Sequence, residues 1–297
     1  MDVRWPPVLE EPVFRPPSEA RSLILQLTVG CSWNRCTYCG MYRTKRFRVR
    51  PVEDVVAEIR GAARYLPGVR RVFLADGDAL AAPAEALEAV LGAIRNELPE
   101  VTRVGLYGDA RSILRHGEAG LQRLRELGLG IVYFGPESGD DATLRAVRKG
   151  ATAARQLEAA RTVTAAGVRL SVMVLLGLAG VDGSERHARA TGRFLVEAAP
   201  SWAAALTVTP VPGTELFDAV REGRFRLPDR WGMLRELLWM LESMEGYRGP
   251  FHANHASNYL PLKLRLPADR EPAMALIRHV LETRDETRLV PEWARGL

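Results

Sequence analysis

The chain has 297 residues, 47% of them hydrophobic and 26% charged, with a formal net charge of +5. These proportions suit a globular protein with a sizeable core and exclude a low-complexity or disordered chain. No apolar run nears the roughly 18 residues that would cross a membrane. The opening Met1-Asp2-Val3-Arg4-Trp5 lacks the form of a secretory signal, so a cytoplasmic protein with no membrane partner is expected. The positive charge permits an acidic partner without requiring one. Only Lys45, Lys149 and Lys263 are lysines, and such an arginine bias follows from base composition alone. Nucleic acid is therefore not an expected partner.

Residues 1–20 carry five prolines and little periodicity, and read as an extended arm. Short apolar runs then alternate with longer amphipathic ones. Strands are predicted over 23–29, 69–75, 103–107, 130–134, 169–176 and 204–209. Helices are predicted over 52–66, 83–98, 111–127, 141–166 and 184–199. Six strands alternating with helices imply an α/β chain with a parallel sheet. Right-handed crossovers would curl it into a partial (βα)6 TIM-like barrel. A flat doubly wound sheet is the alternative, but the glycine fingerprint of a dinucleotide fold is missing after the first strand. The expected division is an arm over 1–20, a barrel over 21–225 and a mainly helical extension over 226–297. In that extension helices are predicted over 231–244 and 271–282.

Ligands of parallel α/β folds bind beyond the carboxyl ends of the strands. After the first strand stand Cys31, Cys36 and Cys39, the only cysteines in the chain. A structural zinc would need a distant fourth ligand. A disulfide framework is disfavoured by the odd count. An iron–sulfur cluster held by three thiolates, with one iron left open, fits best. Tyr38 lies between two of the cysteines. Next come Arg43, Lys45, Arg46, Arg48 and Arg50, which read either as a solvated face or as a contact for an acidic substrate or electron donor. Asp76-Gly77-Asp78 follows the second strand. Its carboxylates suit a cationic group, or could cap the next helix. Asp109 follows the third strand and is as well suited to capping as to function.

Glu137-Ser138-Gly139 follows the fourth strand, with Leu144 and then Arg148-Lys149-Gly150 downstream. Early acids at a helix start are the plain alternative there. The fifth strand runs into Gly177-Leu178-Ala179-Gly180 and the sixth into Pro212-Gly213-Thr214, both turn sequences. In the extension His252, Asn254, His255, Ser257, Asn258 and Tyr259 crowd eight positions. They could line a cavity, with His255 or Tyr259 as acid, base or hydrogen-atom relay. Equally, they could form a buried polar turn satisfied by backbone.

Taken in order over about residues 21–225, these motifs resemble the radical S-adenosylmethionine (SAM) superfamily. The Glu-Ser-Gly…Leu…Arg-Lys-Gly series is similar to the branch of coproporphyrinogen oxidases, methylthiotransferases and Elongator-type proteins. Cys-x4-Cys-x2-Cys departs by one residue from the commonest spacing, and Met173 stands where one subgroup has a ribose-binding aspartate. The resemblance implies a [4Fe–4S] cluster on Cys31, Cys36 and Cys39. It implies SAM held by Tyr38, Asp76, Gly77, Asp78, Glu137, Ser138, Lys149 and Gly177. Reductive cleavage of SAM by a donor such as flavodoxin or ferredoxin would yield a 5′-deoxyadenosyl radical that takes hydrogen from an unidentified substrate. A carrier resembling a haem chaperone and an RNA-modifying enzyme are the rival readings. No further cysteines are present for a second cluster within these residues, which argues against a methylthiotransferase. No cobalamin-binding domain is recognised before the predicted barrel, which disfavours cobalamin-dependent methyl transfer.

Overall fold

The structure is a computed structural model and describes residues 2–296. In chain order, β1 (Leu23–Gln26) is followed by the short β2 (Thr28–Val29) and β3 (Arg48–Val49), then α1 (Val52–Tyr65), β4 (Arg71–Ala75), α2 (Ala84–Glu97) and β5 (Arg103–Tyr107). Next are α3 (Ala110–Glu126), β6 (Leu129–Glu137), α4 (Asp141–Ala146), α5 (Ala153–Ala165), β7 (Arg169–Leu176), α6 (Gly180–Ala198) and β8 (Trp202–Thr207). The chain ends with α7 (Glu215–Arg221), α8 (Arg230–Glu242), β9 (Gly249–Ala253), β10 (Leu262–Leu266) and α9 (Arg270–Thr283). The predicted α/β alternation is present.

Two compact units are formed. The first comprises Met1–Asn34, Met41–Phe134 and Glu158–Leu170. In it β1, β4, β5 and β6 pair in parallel, in that order. Parallel strands covered by helices bury both faces, which is why Val72, Phe73, Leu74 and Ala75 form an unbroken apolar run. Phe73, Tyr107 and Tyr133 meet edge to face, with centroids 5.2–6.0 Å apart. Leu9 and Val13 of the proline-rich arm pack on this cluster, and the Arg4 amide donates to the Ala57 carbonyl.

The second unit comprises Arg35–Gly40, Gly135–Leu157 and Ser171–Leu297. There β7, β8 and β9 pair in parallel and β10 returns antiparallel to β9. The extension was expected to be mainly helical. It does hold α8 and α9, but β9 and β10 are strands, and β9 adds directly to β8. The alternation in Leu262-Lys263-Leu264-Arg265-Leu266, buried then exposed, is the period-two signal that marks β10.

The helix predicted over 141–166 is two helices. Arg148 (φ 52°) and Gly150 (φ 84°) take left-handed backbone between α4 and α5. Lys149 therefore sits in a turn, its amide donating to the Leu144 carbonyl, rather than inside the helix predicted over 141–166.

Candidate functional site

In the first unit the loop after β1 begins with Gly30, held in left-handed backbone (φ 81°). Its amide donates to Asp76 Oδ2 at 2.9 Å, and its carbonyl accepts from the Gly77 amide at 3.1 Å. A β-carbon on Gly77 would lie 3.0 Å from the Cys31 Cβ and closer still to the Tyr42 ring. Only glycine permits the turn after β4 to approach the cysteine this closely.

Asp76 is wholly buried and fully partnered. Besides Gly30 it accepts from Gln26 Nε2 (3.0 Å) and Lys45 Nζ (2.8 Å). Lys45 is buried with it, and its ammonium also donates to the carbonyls of Glu10 and Pro12 on the arm. Asp78 accepts from the hydroxyls of Ser32 and Ser112 and from the Asp109 amide. Burial, with the nearby Asp109 charge, pushes its carboxyl up to about 6. Asp109 N-caps α3 in a capping box with Ser112. Arg111 bonds Asp109 and stacks 4.2 Å over Trp33, two residues from Cys31.

The basic run does not present one cationic face. Lys45 is spent on Asp76, Arg50 pairs with the buried Glu58, and Arg48 pairs with Glu10. The sequence reading missed these partners because each lies eight to some thirty residues or more away along the chain.

In the second unit, Cys36 to Cys39 forms a tight turn, with the Cys39 amide donating to the Cys36 carbonyl at 3.3 Å. Thr37 pins it from both sides. Its amide donates to the Val147 carbonyl and its carbonyl accepts from the Leu216 amide, each at 3.0 Å. Tyr38 packs on Val147, Leu175, Leu178, Val208 and Leu216. Burial of its hydroxyl beside Glu137, Cys36 and Cys39 holds the phenol well above its ordinary pKa.

Glu137 ends β6 in left-handed backbone (φ 68°), which turns its carboxylate back over the strand. A β-carbon on Gly135 would come within 2.4 Å of Glu137 Oε1, so glycine is what makes room for that fold-back. Lys149 Nζ donates to Oε1 at 3.3 Å, while Oε2 is buried with no hydrogen-bond partner. An acceptor left unpaired in this way costs free energy until a ligand meets it. Ser138 is fully buried, with its hydroxyl 2.7 Å from His187 Nδ1. Gly177 (φ 83°) turns the chain after β7, and its amide donates to Glu236 Oε1 at 2.6 Å.

The polar segment of the extension closes on β8. Ser257 Oγ accepts from the Thr207 amide, and Asn258 bonds both the Thr207 hydroxyl and the Ala205 carbonyl. His255 Nδ1 pairs with Ser257, and burial keeps the ring toward its neutral form. Tyr259 donates to Glu292 and lies beneath Arg295, whose guanidinium carbon is 3.7 Å from the ring centroid. Ser257 and Asn258 are thereby tied to β8.

A sequence profile of the Radical SAM superfamily matches residues 25–190, more than half of the chain. The chain belongs to the radical SAM superfamily. It is 25% identical, over 72% of its length and 48% of the relative's, to a protein of Methanocaldococcus jannaschii that carries the name of a methylthiotransferase. It is 23% identical, over 70% of its length and 44% of the relative's, to an uncharacterized methyltransferase of Pyrococcus horikoshii. The chain thus spans about half the length of these curated relatives. Among solved structures, methylornithine synthase superposes with a TM-score of 0.53 at 21% identity, over 76% of this chain and 62% of that one. A radical SAM methyltransferase from Kitasatospora setae, with cobalamin and a [4Fe–4S] cluster bound, gives 0.56 at 18% identity, over 67% and 36%. These likenesses establish the radical SAM fold.

Radical SAM enzymes use a [4Fe–4S] cluster and SAM, and the residues present fit both. None of the three cysteines is in a disulfide and each is partly exposed, so the donor set is three accessible soft thiols. The unpaired Oε2 of Glu137 beside the Lys149 ammonium suits the zwitterionic end of an amino acid. Among the described residues no three His, Cys, Asp or Glu side chains already meet metal-site geometry, so the cluster assignment rests on the donor set and the family. No helix among them is long and apolar enough to cross a membrane.

Proposed function

We propose that this radical SAM enzyme cleaves SAM reductively and uses the product to remove hydrogen from an unactivated carbon of its substrate. The observation that carries the reading is the buried, unpartnered Glu137 Oε2 beside Lys149, at the end of a strand in a chain whose only cysteines follow β1. When bound, the cluster and SAM supply the radical chemistry; the protein supplies orientation and exclusion of water. Cys31, Cys36 and Cys39 are assigned to the cluster. Glu137 and Lys149 present one anion and one cation to the methionine end of SAM, with Tyr38 and the Gly177 turn toward its adenosyl end.

The assignment of Asp76 and Asp78 is narrower. Their side chains hold the turn and the cysteine loop together, leaving the backbone of residues 76–78 for SAM. His255 and Tyr259 are assigned to closing the extension rather than to hydrogen transfer, because Ser257 and Glu292 already engage them. The reductant is proposed to be a small acidic flavin or iron–sulfur protein, and the compartment the cytoplasm. Methyl transfer is a second reading, favoured by the name of the Pyrococcus relative.

The test is anaerobic reconstitution with iron and sulfide, then dithionite and SAM, with Cys36→Ala as control. Cluster-dependent 5′-deoxyadenosine is expected. Cluster-loaded protein that binds SAM without cleaving it would turn the reading to a carrier. Zinc without iron would overturn it.

A further inference from the structure

Two buried residues sit between the strand ends proposed to hold SAM. His187 on α6 and Glu236 on α8 are both fully buried. His187 Nδ1 is 2.7 Å from Ser138 Oγ, next to Glu137. Its Nε2 is 2.9 Å from the Leu175 carbonyl and 3.4 Å from Glu236 Oε1. Glu236 Oε1 accepts from the Gly177 amide, and Oε2 accepts from the Ser184 hydroxyl. The Ser138 hydroxyl also accepts from the Asp140 amide at 2.9 Å, which fixes its orientation. Thr191 completes the network. Its hydroxyl accepts from the Gly139 amide and donates to the His187 carbonyl.

The imidazole therefore holds the end of β6 with one nitrogen and the end of β7 with the other. Glu236 holds the amide of the turn itself. A buried carboxylate and imidazole are expensive to desolvate, and apolar residues of similar volume would serve stability as well or better. Their cost falls where two strand ends must keep one spacing. We propose that His187 and Glu236 are positioning residues that fix the Glu137-Ser138 end of β6 against the Gly177 turn, and thereby set the affinity for SAM. The proposal rests on the reading of Glu137 and Gly177 as SAM contacts.

The experiment compares His187→Gln, His187→Asn and Glu236→Gln with the cluster-loaded wild type. Glutamine can reproduce the Nε2 contact and asparagine the Nδ1 contact, so each substitution cuts a different arm of the network. Cluster content, thermal midpoint, SAM Kd and amide hydrogen exchange are measured. Losing one arm is expected to weaken SAM binding about tenfold at unchanged cluster content. Exchange should quicken at 137–140 in the glutamine variant and at 175–177 in the asparagine variant. Glu236→Gln, which keeps an acceptor for Gly177, should weaken binding about threefold. Folded variants that bind SAM like wild type, or whose exchange rises evenly over the chain, would overturn the proposal alone. If neither histidine variant folds, an unchanged Kd in Glu236→Gln overturns it. A cluster-loaded wild type that binds no SAM would sink this proposal together with the reading beneath it.

Discussion

The strand ends at Asp76-Gly77-Asp78 and at Glu137-Ser138 carry similar chemistry and use it in opposite ways. At the first, both carboxylates are occupied. Asp76 has a buried lysine, an amide and a glutamine, and Asp78 has two hydroxyls and an amide. At the second, one carboxylate oxygen has Lys149, and the other is buried without a hydrogen bond of good geometry, with the Tyr38 hydroxyl nearby. An acid placed after a parallel strand is thus not by itself a ligand. What separates a structural acid from a binding one is whether the fold has already satisfied it.

Cutting the Lys45–Asp76 pair should give the largest effect. Lys45→Met would strip the buried Asp76 carboxylate of its lysine partner. Breaking one side of such a pair costs about 3–5 kcal/mol. Lys45 also anchors the arm through Glu10 and Pro12, so the variant should lose both stability in urea and cluster retention. Adding Asp76→Asn should restore much of the stability by removing the stranded charge. A single variant as stable as wild type would mean that the latch at the first strand end is dispensable.

Glu137→Gln tests the other half of the contrast. The amide keeps the size and loses the charge, so the fold and cluster content should hold while SAM binding weakens about tenfold or more. Equal stability losses in Glu137→Gln and Lys45→Met, with SAM affinity untouched, would erase the distinction between the two ends.

Much of this was legible in the sequence, and the limits have physical causes. The βα alternation is readable because periodicity is local, and the six expected strands are present. The break between α4 and α5 was missed because Arg148 adopts left-handed backbone without being glycine. The two strands of the extension were missed because β9 opens on Gly249-Pro250, which reads as a turn, and the alternation of β10 went unread without a strand beside it. The cysteines and Glu137 stand out through their neighbours in sequence. The fate of Lys45 depends on Asp76, 31 residues away, and on arm carbonyls that have no side-chain signature. His187 and Glu236 are single polar residues on helices. The only hint was that Glu236 falls among Met233, Leu234, Leu237 and Leu238, on a face that is buried.

Asp78 sharpens the comparison through pH. Its carboxyl is raised to about 6 from an ordinary 3.8, so the folded chain holds a proton there that the unfolded chain has released. Stability from this group is therefore full below pH 4 and is lost as pH rises toward 6 and beyond, by about 3 kcal/mol in all. Other acids titrate in the same range, so the difference between wild type and Asp78→Asn is the quantity to follow. The asparagine variant should gain on wild type between pH 4 and 7. Parallel unfolding profiles would mean that Asp78 is charged throughout and solvated better than its burial implies.

Tyr259 should give the smallest effect. Its hydroxyl donates to Glu292 at 2.9 Å and its ring lies beneath Arg295. Burial, with the Glu292 bond, pushes the phenol up to about 12, so it keeps its proton at neutral pH. On the proposed assignment, a residue held in this way stabilises the closing segment by about 1 kcal/mol and takes no part in SAM cleavage. Tyr259→Phe should therefore lower the melting temperature slightly and leave 5′-deoxyadenosine formation within twofold of wild type. The phenyl ring preserves the stacking on Arg295, so the substitution isolates the hydroxyl. A tenfold fall in cleavage with the fold intact would restore the hydroxyl to the chemistry. It would also show that a group with satisfied partners in the resting fold can still act on substrate.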